Sequence, residues 1–483
     1  MDWTPISLGL QSNPGRDAQA GDTRLINCYV ESAGNEGKTQ APVYACDGYR
    51  AFCTLAAAGV SAPRAALALS DTALYVVAGT RLVKINAAGV ETAIGGTLPA
   101  SGLVTMARNR REPNAQIGIS VGGQFWVCEN DVLTQVNLAP LGSTALVSVT
   151  ALDGYFVLFF DNGEVFSSDI DASTIDPLDF TKAESSPDGG VVSKSRGREL
   201  VLFGSASTEW YTNAGGANFP FERTSTSGFG CYAAGSAVNV LHIGQTVVDT
   251  IAFAATDALG AYAGICILDG YGATKISTPE VDRSIASEPD RSAIKAFCYS
   301  RDGHTFYTVS TSTATWSYDH ATGLWHERQS SGATTWNAAI AVTFGSKIIV
   351  GHRTLAKLFE IAGGLFAANA DSVLTLKHAN DVEVGWNATR TAAIGGVGQT
   401  DTQVRFNRLG QSREDGKQFE VSISNAVMED GVGNDMVVRP PIVHAYPKPV
   451  RFFAVRIDIV SGASRTDRQK GILGMSTLHR VMA

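Results

Sequence analysis

No stretch of this chain approaches the roughly eighteen apolar residues that carry a helix across a bilayer, so no membrane-spanning segment is expected. Charge is scarce as well. Only 17% of the 483 residues are Asp, Glu, Lys or Arg, against 44% hydrophobic. A surface so poor in charge usually gives up area to partners, which points to obligate assembly. The basic residues are scattered singly, with Arg108-Asn-Arg-Arg111 the one tight group, and the formal net charge is −8. Gripping nucleic acid through a basic face is therefore not the expected mode. A mildly acidic wall would instead let DNA slide past without sticking, because like charges do not pair.

Motifs for chemistry are also missing. The seven cysteines (Cys28, Cys46, Cys53, Cys128, Cys231, Cys266, Cys298) are odd in number, widely spaced and without a CxxC, so buried reduced thiols are expected. The eight histidines form no HxH or HExxH. No GxSxG, P-loop or GxGxxG stands in a strand–turn–helix context. No metal, cofactor or catalytic residue is expected. The opening MDWTPISLGL has no basic stretch before an apolar one and does not read as a secretory signal.

What is present is turn chemistry. Fifty glycines and sixteen prolines punctuate short apolar runs, as an all-β chain requires. Runs pair across short Gly, Asp or Asn turns. Examples are Thr150–Leu152 with Tyr155–Phe160 across Asp153-Gly154, and Ala296–Tyr299 with Thr305–Val309 across Asp302-Gly303. These pairs return about every 40 to 50 residues, the period of propeller blades. The expectation is an all-β protein with a β-propeller of about six to seven blades, stacked β-sandwiches being the rival reading. An extended arm and first strand (Leu25–Val30) would occupy residues 1–44, and the propeller residues 45–369. Longer alternating strands follow, such as Val373–His378 and Phe452–Val460, and predict a sandwich-like C-terminal β domain over 370–483. No long segment has a 3.6-residue period, so helix is minor.

Acidic residues invite three readings. Asp169, Asp171, Asp176 and Asp179 crowd one loop, but the spacing is not that of an EF-hand, and solvated turn formers explain them. Ser300-Arg-Asp-Gly-His-Thr-Phe306 is shorter than a sialidase Asp-box and is explained as a hairpin turn. Glu184, Asp188 and Glu209 could supply a two-carboxylate glycosidase, though nothing in the sequence shows that they converge. Trp325, after the Asp319–Gly323 turn, reads as core between adjacent blades.

Together these segments resemble the packaged-DNA stabilisation proteins, the tail hub or nozzle subunits, of short-tailed bacteriophages. The most specific match is Ala183-Glu-Ser-Ser-Pro-Asp-Gly189, then a strand into Phe203-Gly-Ser-Ala-Ser-Thr-Glu209. Ile26-Asn-Cys-Tyr-Val30, Leu324-Trp-His-Glu-Arg328, Gln418-Phe-Glu-Val421 and Phe453–Ile457 follow in similar order. The resemblance implies a non-enzymatic virion subunit, assembled in the host cytoplasm. It would form a homo-oligomeric ring, a hexamer, below the portal and the head-to-tail adaptor protein. The ring would retain packaged DNA, conduct it without sequence-specific binding, and meet distal tail needle, fibre or spike proteins. Glu184, Pro187, Asp188, Gly189, Ser207 and Glu209 would then serve a subunit contact or a structural motif. The alternative is a glycan-binding or glycan-cleaving propeller of a phage tail.

Overall fold

The computed structural model describes residues 3–15, 22–31, 41–142, 145–216, 218–243, 247–362, 372–380, 385–394, 401–411, 416–443, 450–460 and 471–481. The tight turns act as their composition dictates. Asp153-Gly154 (φ 52° and 94°) and Asp302-Gly303 (φ 50° and 84°) both take positive φ at the two central positions, the conformation that matches strand twist in a two-residue hairpin.

Seven antiparallel sheets follow one another along the chain. Blades 1 to 6 occupy residues 63–93, 104–136, 146–182, 190–227, 230–275 and 295–327. Blade 7 is composite. Its three inner strands are Ala338–Phe344, Lys347–His352 and Lys357–Ala362, and its outer strand is Gly48–Thr54, paired antiparallel with Lys357–Ala362. Innermost strands touch in turn around the ring, except that Gly190–Arg196 of blade 4 meets the second strand of blade 5, Val247–Thr256. Ala338–Phe344 packs on Pro63–Ser70 and closes the circle. The fifth blade is irregular: both Gly230–Cys231 and Val238–Ile243 pair with Val247–Thr256. Separate apolar clusters fill the spaces between neighbouring blades.

Two further sheets face each other beside blades 6 and 7. One runs Asp401–Gln411, Val450–Val460, Gly471–Val481, Val43–Ala45, Cys28–Val30, with Trp3–Ile6 also on Gly471–Val481. The other runs Ala388–Ala393, Val373–Ala379, Gln418–Glu429, Val432–Arg439, Asp22–Ile26, Asn13–Pro14. Leu376, Phe419 and Val421 from the second sheet share a buried cluster with Phe452, Val455 and Ile457 from the first. The same cluster continues into Phe297, Trp336 and Phe359 of the propeller. One helix of two turns, Pro279–Ala286, links blades 5 and 6.

The single strand expected over Leu25–Val30 is in fact two. Asn27 takes φ 56° and sends Asp22–Ile26 into one sheet and Cys28–Val30 into the other. Its buried amide holds the corner, accepting from the Gln329 amide (2.9 Å) and donating to the Asp435 carbonyl (3.2 Å). Asn tolerates this left-handed conformation because its short polar side chain bonds locally.

The C-terminal sheet is joined to the propeller at both flanks. Ile26 bridges Glu327 on the outer strand of blade 6, and Glu429 bridges Tyr49 on the outer strand of blade 7, so two blade edges are covered. Between the bridges lies a buried polar knot. Glu429 accepts from Trp336 Nε1 (2.7 Å) and Tyr49 Oη (3.2 Å). The guanidinium of Arg328, 1% exposed, lies 4.0 Å from the Trp336 ring centroid and donates to the Asp47 carbonyl (3.0 Å). Burial opposes the charge of Arg328, and the acidic groups around it, Glu429 and Asp47 among them, restore it. Replacing Glu429 with Ala should therefore cost about 3 kcal/mol, because it strands a buried cation and two donors. Denaturant midpoints should show a smaller loss for Glu429→Gln, which keeps an acceptor for Trp336.

Candidate functional site

The segment that carries the family resemblance connects blade 3 to blade 4. Its loop runs from Phe180–Lys182, the outer strand of blade 3, to Gly190–Arg196, the innermost strand of blade 4. Asp188 turns back onto the next hairpin of blade 4. Its Oδ2 accepts from the amides of Ala206 (2.7 Å) and Ser207 (2.9 Å), and its Oδ1 from Ser207 Oγ (2.8 Å). The approach is so close that a Cβ on Gly204 would lie 2.3 Å from Asp188 Oδ2, so this strand end must be glycine. The Gly189 carbonyl accepts from the Ser205 amide (3.0 Å). Glu209, 2% exposed, holds the other end of the loop. Its Oε1 accepts from the Ser185 amide (2.8 Å), and its Oε2 from Tyr211 Oη (2.7 Å) and Arg223 Nη1 (3.4 Å). Burial and the bond to Glu209 push the Tyr211 phenol well above its ordinary pKa, so it stays a donor. Glu184 and Pro187 are exposed.

This geometry bears on chemistry directly. A glycosidase needs one carboxyl that can carry a proton and another free to attack or to deprotonate water. Asp188 and Glu209 are each occupied by three donors from their own chain, and Glu209 is out of reach of solvent. The structure brings Asp188, Gly189 and Ser207 together at one end of the loop and Glu209 at the other. It leaves Glu184 outside both clusters.

Two of the crowded loop acids are held by backbone amides. Asp176 accepts from the Leu178 amide (2.9 Å) two residues on, as turn formers do, whereas Asp171 accepts from the Arg110 amide of blade 2 (3.2 Å), a contact between blades. Among the described residues no three His, Cys, Asp or Glu side chains gather as a metal site. All seven cysteines are unpaired, six of them buried. Trp325 is buried between blades 5 and 6, its Nε1 donating to the Ile276 carbonyl (2.7 Å). A cleft of about 460 Å³ lies between the helix, blade 6 and the N-terminal strands. Its two carboxylates, Glu280 and Glu327, are each ion-paired, with Arg283 and Arg24.

One cluster was not signalled by any motif. Tyr29 packs against His304, Phe306 and His326 where Cys28–Val30 meets blade 6. His304 Nδ1 bonds to Asp319 Oδ2 at 2.8 Å. These residues are scattered along the sequence, and only the register of blade 6 opposes them. The pair resembles an acid–base dyad, but both members are buried, and its consequence is for stability.

The fold is a seven-bladed β-propeller whose Asp188 and Glu209 carboxylates are taken up by donors of the same chain. The family model described as Bacteriophage P22 Gp10, beta-propeller, matches residues 41–362, from just before the outer strand of blade 7 to the end of its third strand. The chain belongs to that family, the DNA-stabilisation proteins of short-tailed phages, which are components of the virion tail. No curated protein matches it. Among solved structures it is similar to the WD40 β-propeller domain of Doa1, at 10% identity and a TM-score of 0.37, over 65% of this chain and 97% of that one. It is also similar to the computationally designed Ika8 protein, at 11% identity and a TM-score of 0.38, over 65% of this chain and 100% of that one.

Two predictions come from these contacts. Asp188→Ala should cost about 2 kcal/mol, the scale of bonds to a charged acceptor, whereas Glu184→Ala should change stability by less than about 0.5 kcal/mol. Thermal midpoints of the two variants distinguish these outcomes. The second concerns pH. Burial holds His326 down to about 3 and His320 and His378 down to about 4, against 6.5 in the unfolded chain. Each therefore withdraws stability as pH falls below 6.5, because the unfolded chain takes up the proton first. His304 acts oppositely. Its bond to Asp319 raises its pKa, so its contribution is present below 6.5 and lost as pH rises through the folded value. Burial pushes Asp319 upward, but the bonds from His304, Ala321 and Thr322 outweigh it, so its contribution disappears only in strong acid. Burial, and then Lys357, lower His352 as well, so four depressed histidines oppose the one raised, and stability should fall from pH 7 to pH 5. His326→Phe should remove on the order of 2 kcal/mol of that fall, read from denaturant midpoints at the two pH values.

Proposed function

We propose that this chain is a structural subunit of a bacteriophage tail, assembled as a hexameric ring below the portal and the head-to-tail adaptor. There it retains the packaged DNA and later forms the conduit for ejection. The observation that carries the reading is the match of the P22 Gp10 family over all seven blades, residues 41–362. The engaged carboxylates of Asp188 and Glu209 add support, since they leave the family-like segment a mechanical part. A chain with 17% charged residues and a net charge of −8 suits both burial in a ring and a wall past which DNA slides.

In this reading the arm (1–44) and the C-terminal β domain (370–483) brace the propeller (45–369). The adaptor meets one side of the ring, and a tail needle, fibre or spike the other. Exposed Glu184 and Pro187 lie on the neighbouring subunit, presented by a loop that Asp188 and Glu209 hold rigid. The glycan-cleaving alternative has less support, because the carboxylates of the cleft, like Asp188 and Glu209, are already engaged.

Negative-stain electron microscopy tests the proposal. Purified chain, alone or with its adaptor, should form closed rings, DNA-independent and without turnover of any glycan. Monomers only, with adaptor present, would overturn it, and a specific hit on a glycan array would favour the alternative.

A further inference from the structure

Because every blade is built outward from the axis in antiparallel steps, all innermost strands start on the same face of the ring. Three cations gather on that face where blades 6, 7 and 1 adjoin. Lys295 opens Lys295–Arg301, the first strand of blade 6. Arg64 is the second residue of Pro63–Ser70, the first strand of blade 1. Arg353 follows Lys347–His352 of blade 7.

Local contacts place them together. The Arg353 amide donates to the Asn337 carbonyl (2.7 Å), immediately before Ala338–Phe344. Its Nη1 donates to the Thr311 carbonyl (3.0 Å), and Thr311 follows Ser310, the cross-strand partner of Lys295. On the other flank, a Cβ on Gly351 would lie 2.7 Å from Pro63 Cβ, which seats blade 1 against blade 7 at this level.

None of the three is ion-paired among the described residues. Arg64 bonds only carbonyls, those of Gly79 (2.9 Å), Pro99 (2.6 Å) and Gly102 (2.7 Å). Glu288 is the acid that acts on Arg353, but its Oε2 is taken by the Ser312 amide (2.7 Å) and hydroxyl (2.6 Å), and its Oε1 by the Asp290 amide (3.3 Å). Burial holds all three cations below their ordinary pKa, and Arg353 and Arg64 depress Lys295 further. A chain of net charge −8 thus crowds three cations at one rim, none of them ion-paired among the described residues, with the Glu288 charge acting on Arg353 from outside ion-pair distance.

We propose that this rim is a binding site for a phosphate-class oxyanion, held between the ammonium of Lys295 and the guanidinium of Arg353, with Arg64 behind them. The planar guanidinium supplies a fork of donors suited to two oxygens, and the ammonium supplies a point charge. Free phosphate and the phosphodiester of a nucleic-acid strand offer the same chemistry. With three cations the site is local, and the remainder of the chain stays acidic. It requires only the propeller, and stands whether or not the chain forms a ring.

The test is the thermal midpoint of the full chain in pyrophosphate, and separately in a thymidine oligonucleotide, each against sodium chloride at equal ionic strength. Pyrophosphate should raise the wild-type midpoint by about 2 °C beyond the salt control. Lys295→Gln and Arg353→Gln should each abolish that increment, and Lys295→Arg should keep it. An oligonucleotide effect lost in the same variants assigns the site to nucleic-acid phosphodiester, and an effect of pyrophosphate alone assigns it to free phosphate. Without ligand, Lys295→Gln should melt no lower than wild type, because one of three crowded like charges is gone, so a lost increment is not a folding defect. No increment over sodium chloride, or an equal increment in both Gln variants, overturns the proposal.

Discussion

A ring of blades is only as stable as the joint that closes it, and here the joint is the pairing of Gly48–Thr54 with Lys357–Ala362. Arg50 and Glu360 form an ion pair across it, 310 residues apart in sequence. That exposed pair contributes little by itself. The work is done by the ladder hydrogen bonds and by Tyr49 and Phe359, whose rings pack at 4.6 Å. Blade 7 has no fourth strand of its own within 338–362, so without this pairing its outer edge would be open and the circle unfinished.

The closure is then locked from outside. The C-terminal sheet lies across the outer strands of blades 6 and 7 through the Ile26–Glu327 and Glu429–Tyr49 bridges. A buried cation such as Arg328 is costly unless its surroundings are arranged in advance. Here the ring of Trp336, the carbonyl of Asp47 and the charge of Glu429 arrive from three separate parts of the chain. The knot can form only when N-terminal strand, propeller and C-terminal domain are all in place. It thereby ties the three parts to one another, and it sits at the covered edge of blades 6 and 7.

Much of this was legible in the sequence. The two-residue Asp-Gly turns and the alternating runs on either side are local chemistry, so the central hairpins of the blades stand where the pattern put them. The outer strands were harder to see, because Glu91–Ala93 and Phe180–Lys182 are short and polar and carry no period. The break at Asn27 was hidden too, since an Asn between apolar residues reads as part of one strand until its neighbours show that two sheets meet there. Asp188 and Glu209 were visible as acids next to a strand. Their occupation by the amides of Ala206, Ser207 and Ser185 was not, because the donors belong to a different hairpin or loop.

By itself the sequence determined the all-β class, the repeated hairpins, the family and the absence of motif chemistry. These rest on residue types and on spacings of a few residues, which act through local backbone preference and turn geometry. Only the tertiary structure decided that the blades number seven, that the ring closes with a strand from before blade 1, and that the buried charges of Arg328 and Asp319 find partners. It also decided which cations, Lys295, Arg353 and Arg64, crowd together with no ion pair among the described residues. Each of these is a meeting of groups far apart in sequence, and the energy of such a meeting depends on distance and burial in space, which a linear pattern does not contain.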